Sequence, residues 1–140
     1  MCEIEIIRLN LVSPLYYAPE KDSNPFDYRE GDGEKLFCFE LNAAQAHDFE
    51  PEKTNFLGNI VFSGKTADGG VSGRTELPHG NYLFAQKREI LSHKDIIDIA
   101  VEIQQEGLWQ RLLLGESLFL RYLFEDGCSV TQLFRPYTEP

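Results

Sequence analysis

The chain is poor in the residues that usually announce a chemistry. Its three cysteines, Cys2, Cys38 and Cys128, are an odd number with no Cys-x-x-Cys spacing. A disulfide framework is therefore not expected, and a reducing compartment is the simpler setting. Basic residues are outnumbered, 13 against 23 acidic ones, for a formal net charge of −10. Such a field repels phosphates, so neither nucleic acid nor an anionic membrane is an expected partner. No apolar run approaches the length that spans a bilayer, and residues 1–10 mix Glu3 and Glu5 with isoleucines instead of forming a leader. The expectation is one soluble cytoplasmic domain over 1–140, with no cofactor.

What is present speaks of a packed core. Hydrophobic residues make up 42% of the 140 positions, and ten Phe and six Tyr stand against one Met. That balance excludes a disordered chain and favours strands. Residues 3–12 (EIEIIRLNLV) alternate as a strand, although Ile4, Ile6, Leu9 and Val12 leave the register open. Ser13-Pro14 breaks it. Residues 18–35 carry two Pro, two Gly and nine charges and read as a long polar loop, either mobile or functional. Residues 36–41 and 56–63 read as strands. Residues 43–47 fit one helical turn ended by Pro51, and 64–73, with four Gly, read as a flexible turn.

The last third is more explicit. A strand over 81–88 leads to a helix over 92–106. Ser92 and Asp95 have the spacing of a capping box, with Leu91 placed to staple onto Ile96. Ile96, Ile99, Ala100 and Ile103 form one apolar stripe, with Lys94, Asp98, Glu102 and Gln105 away from it. Gly107 is expected as the left-handed residue past the helix end, with Leu108 folding back on Ile103. Asp126-Gly127 lies between two apolar runs, 118–125 and 128–135, and predicts a tight hairpin. A two-residue turn pairs Leu123 with Val130, Leu120 with Leu133 and Phe119 with Phe134. Pro136 should end the hairpin, leaving a frayed tail over 136–140. The fold class expected is α+β: an antiparallel sheet with the 92–106 helix on one face and a strand–helix–strand–strand unit in the second half.

The chemistry is harder to read. Cys38, His47, His79, His93 and Cys128 are candidate metal ligands only by type, since nothing in their spacing gathers them. No Gly-x-Ser-x-Gly is present. Cys38 reads as a core thiol, and no basic cluster activates Cys128. The glycines of 64–73 lack the pattern of a phosphate loop and precede no helix. Trp109, the single tryptophan, reads either as a packed anchor or as a wall of a ligand site, with Tyr82 and Tyr122 on strands flanking the helix.

Leu77-Pro78-His79-Gly80-Asn81-Tyr82-Leu83-Phe84 is similar to the Pro–x–Gly–x–Tyr strand entry of the GyrI-like superfamily of small-molecule-binding domains. Residues 119–122 (FLRY) resemble that family's returning strand, with Leu120 at its acidic position. The resemblance covers residues 56–135 at most. It implies a ligand groove between sheet-and-helix halves, or a surface that inhibits a partner enzyme. The expectation is a non-catalytic binding module for a small molecule in an aromatic-lined groove, with Tyr82, Trp109, Arg121 and Tyr122 as ligand-binding residues and Arg121 as the positive group. Two alternatives stay open. One is a hydrolase using carboxylates such as Glu40 or Glu125 with a Tyr nearby. The other is an acidic protein that binds or inhibits a partner protein by the partner's basic surface.

Overall fold

A computed structural model describes residues 5–20, 24–41, 57–66 and 75–139. Cys2, His47 and the helical turn expected at 43–47 lie outside them. The chain order is β1 (Ile7–Leu11), β2 (Leu15–Pro19), β3 (Lys35–Leu41), β4 (Leu57–Thr66), β5 (Thr75–Leu77), β6 (Gly80–Lys87), α1 (His93–Trp109), β7 (Leu113–Leu114), β8 (Ser117–Glu125) and β9 (Cys128–Thr138). The result is an α+β fold, mostly antiparallel sheet with one helix. Strands neighbour one another in the order β1-β6-β9-β8-β3-β4-β2-β5, with β7 added on β9. Among the described residues no helix is long and apolar enough to cross a membrane.

The sheet curls because its end strand β5 and the strand next to its other end, β6, belong to one stretch of chain. β2 pairs with β4 on one side and with β5 on the other. Only Pro78-His79 separates β5 from β6, and β6 pairs with both β1 and β9. The pairings thus lead from β6 round to β5, giving a half-barrel with a concave and a convex face.

Alternation sorts the side chains between these faces. The concave face holds Tyr17, Leu36, Cys38, Leu77, Tyr82, Phe84, Phe119 and Phe134, with Leu9, Leu11, Leu15 and Phe62 packed against them. The convex face holds Phe37, Phe39, Leu83, Ala85, Leu118, Leu120, Tyr122 and Leu133, and α1 covers it. β8 and β9 meet in the register Phe119↔Phe134, Leu120↔Leu133 and Leu123↔Val130, on either side of Asp126-Gly127, both with positive φ.

Helix α1 begins where the capping pattern places it. The Asp95 amide donates to Ser92 Oγ at 3.2 Å. The apolar stripe is buried, with Ile96 and Ile103 fully so and Val101 and Gln104 added at its margin. The helix end differs from the expectation. It runs past Gly107 to Trp109, and the left-handed residue is Arg111 (φ 61). The Leu112 amide donates to Gly107 O and the Arg111 amide to Leu108 O, the paired bonds of a Schellman ending. Gly107 serves close approach instead: a Cβ there would lie 2.6 Å from Leu114 Cδ2. Leu108 accordingly does not fold back into the core; it is half exposed.

Residues read as loop contribute more than a connection. β2 occupies 15–19, because the prolines at its margins fall where no ladder amide is needed. A single 3-10 turn, Pro25–Asp27, is capped by Asn24, whose Oδ1 accepts from the Phe26 amide. It delivers Phe26 onto His93 (centroids 3.8 Å apart) and Tyr28 onto Tyr122 (4.2 Å, nearly parallel). At the other end of the chain, β9 continues through Pro136 to Thr138, where β7 pairs with it.

Candidate functional site

The concave face changes character within one pleat. One cross-strand row reads Phe62, Cys38, Phe119, Phe134, Phe84. The row two residues further along reads Gly64, Leu36, Arg121, Gln132, Gln86. Tyr17 reaches this polar row from β2, and Glu34 reaches it from the residue before β3.

These groups form one hydrogen-bonded chain. Arg121 Nε donates to Tyr17 Oη at 2.7 Å, and Tyr17 Oη donates to Glu34 Oε2 at 2.5 Å. Arg121 Nη2 lies 3.1 Å from the same carboxylate oxygen. Arg121 Nη1 donates to Gln132 Oε1 at 2.8 Å, and Gln132 Nε2 donates to Gln86 Oε1 at 3.0 Å. Burial, and then the Glu34 carboxylate, push the Tyr17 phenol well above its ordinary range. Tyr17 therefore stays a neutral donor. The Arg121 charge is already met by Glu34, with their side chains 16% and 32% exposed.

Beneath this row the aromatics pack on one another. Tyr82 meets Phe134 and Phe119 edge-on, at 5.7 and 6.1 Å between centroids. Its hydroxyl donates to Pro78 O at 2.5 Å, and burial pushes its pKa up to about 12. Burial likewise pushes the Cys38 thiol up to about 11, away from the reactive thiolate.

The four residues singled out from the sequence do not meet at one place. Tyr82 and Arg121 share the concave face. Tyr122 projects from the convex face, where its hydroxyl donates to Pro25 O at 2.6 Å. Trp109 is the last residue of α1 and is 84% exposed, so it does not pack on the sheet near either tyrosine. Glu40 and Glu125 are exposed near opposite ends of β8, Glu40 opposite Ser117 and Glu125 opposite Cys128. Among the described residues no three His, Cys, Asp or Glu side chains are grouped to hold a metal ion.

No protein-family model matches this chain, and no curated protein does. The site must be judged on its own chemistry. Sequence reasoning missed Tyr17, Glu34, Gln86 and Gln132. The one available signal was the polar row on alternating strand positions beside Phe84, Phe119 and Phe134. Glu34 and Arg121 are 87 residues apart, so their pairing has no local signature.

Proposed function

We propose that the chain is a non-catalytic binding module for a small molecule, held at the polar end of the concave face. The observation that carries this reading is the juxtaposition of the row Arg121–Gln132–Gln86 with the aromatic row Phe119–Phe134–Phe84. An apolar surface with a few convergent polar groups is the usual composition of a ligand site. Since Glu34 already neutralises Arg121, a ligand of strong net charge would have to break that pair. The head group favoured is therefore neutral or zwitterionic, hydrogen-bonding to Gln132, Gln86 and Tyr17. The likeness of residues 77–84 and 119–122 to GyrI-like domains supports a small-molecule ligand of this general kind.

The test is a thermal-shift screen of small polar aromatics and zwitterions against the full chain. A ligand at 100 times its dissociation constant adds about 2.7 kcal/mol to the native state. Gln132→Met should fold and lose the response. Stabilisation that is equal in both proteins would place the ligand elsewhere, and a silent screen would count against the reading.

Trp109 favours a second reading. A tryptophan 84% exposed at a helix end, with Leu108 and Leu113 also exposed nearby in sequence, has the composition of a protein–protein anchor. Fluorescence reports on this residue alone, since it is the only Trp. A solvent-quenchable emission that shifts to the blue only with a protein partner, and not with a small ligand, would favour this reading.

A further inference from the structure

Arg135 differs from Arg121 in one respect that has chemical consequences. It is 5% exposed, on the face covered by α1. Its Nε donates to Gly115 O and its Nη1 to Gln104 Oε1, both at 2.6 Å. Both acceptors are neutral. Among the described residues no carboxylate lies within 4 Å of this guanidinium. Shortage is no explanation, since the chain holds 23 acidic residues. Burial lowers the Arg135 pKa to about 10, and a guanidinium so placed still carries its charge at neutral pH. A buried charge without a counter-charge is costly, and proteins ordinarily pair it.

Two donor nitrogens at this place have no acceptor among the described residues. Arg135 uses Nε and Nη1, and its Nη2 bonds to none of the described residues. Gln104 is 9% exposed, and its Oε1 accepts from Arg135 while its Nε2 donates to none of the described residues. Neither nitrogen is sealed from solvent without a partner, because among the described residues the only such atom is Glu20 Oε2. The two free donors flank the Nη1···Oε1 bond, each one atom removed from it, which keeps them in one small neighbourhood between α1, β9 and the turn after β7. One surplus positive charge beside guanidinium and amide N–H donors that lack a protein acceptor is a setting that a carboxylate can neutralise and hydrogen-bond.

We propose that Arg135 and Gln104 form a binding site for a small monocarboxylate, separate from the concave face and independent of the function assigned to it. A monoanion fits better than a phosphate, since one guanidinium supplies one charge in a field of net −10. Arg135 makes the ion pair and Gln104 supplies the neutral donor. The Gly115 carbonyl holds the guanidinium in place by occupying Nε.

Acetate is the probe, titrated against chloride at constant ionic strength into the full isotope-labelled chain. The Arg135 Nε–H is held by Gly115 O, so its resonance is expected to be observable. The expected result is saturable movement of that resonance and of the Gln104 side-chain amide pair, with a rise in melting temperature over the chloride control. Gln104→Glu would place a carboxylate on Arg135 within the chain. It should raise the melting temperature without acetate and abolish the acetate response. Arg135→Met should abolish the response as well, and if it does not fold, Gln104→Glu and the resonances still decide. Resonances that do not move, or move linearly and equally with chloride, would overturn the proposal. So would a Gln104→Glu protein that is less stable and still responds to acetate.

Discussion

Two arginines on opposite faces of one sheet meet burial in different ways. Arg121, on the concave face, has Glu34, Tyr17 and Gln132 around it, and its charge and donors are answered within the chain. Arg135, under α1, has only Gln104 and Gly115 among the described residues, and none of these answers its charge. They teach that burial alone does not tell what a charged residue is for. The identity of its partners does, because a paired charge is finished business while an unpaired one is chemically available.

The largest expected effect lies on the helix-covered face. Ile99→Asp puts a carboxylate into the apolar contact between α1 and the sheet and should cost about 4 kcal/mol or more of stability. Chemical denaturation measures it. An unchanged midpoint would mean that this face is not held by the Ile stripe.

A second test uses pH. The Tyr82 phenol rises from its ordinary value of 10 to about 12, and the Cys38 thiol from 9 to about 11, both mainly by burial on the concave face. These acids are neutral when folded and ionise more readily when unfolded. Their contribution to stability is complete below the unfolded values and is lost as pH rises through the folded ones. Stability should therefore fall from about pH 9 to about pH 12, by on the order of 2 kcal/mol for each group, and the melting temperature with it. Tyr82→Phe should remove its share of that fall, and a fall unchanged in Tyr82→Phe would show that the phenol is not buried in the folded chain.

The two arginines can be compared directly. Arg121→Met leaves the Glu34 carboxylate and the Tyr17 hydroxyl without their donor and should cost roughly 1–3 kcal/mol. Arg135→Met leaves only the neutral acceptors Gly115 O and Gln104 Oε1 behind and relieves a desolvated cation, so its cost should be the smaller, about 1 kcal/mol. Denaturation midpoints settle the order, and a costlier Arg135→Met would reverse the contrast between the faces.

The smallest effect concerns the end of α1. Arg111 holds a left-handed φ of 61 that suits glycine. Arg111→Gly should raise stability by about 1 kcal/mol or less. A loss would show that the Arg111 side chain makes a contact worth more than the strain.

Legibility in the sequence followed distance along the chain. Ser92 and Asp95 are three residues apart, and the start of α1 could be read from them. The helix end could not. Gly107 has the composition of a cap, yet its role depends on Leu114, which reaches it only after β7 has folded back along β9. The polar loop over 18–35 read by composition as either mobile or functional, and Phe26 and Tyr28 within it stack on His93 and Tyr122. Of the candidate site, Arg121 and Tyr82 were recognisable as residue types. Their neighbours were not, because Tyr17 lies 104 residues from Arg121.

By itself the sequence determined what short range can determine: the alternation that gives strands two apolar faces, the cap and stripe of α1, and the tight turn at Asp126-Gly127. Each rests on dihedral preferences or side-chain spacing within a few residues. Only the tertiary structure decided which strand lies beside which, that β5 runs on into β6 to curl the sheet, and that Glu34 answers Arg121 while no charged group among the described residues answers Arg135. Those outcomes depend on contacts between residues far apart in the chain, whose closure is governed by packing and not by local preference.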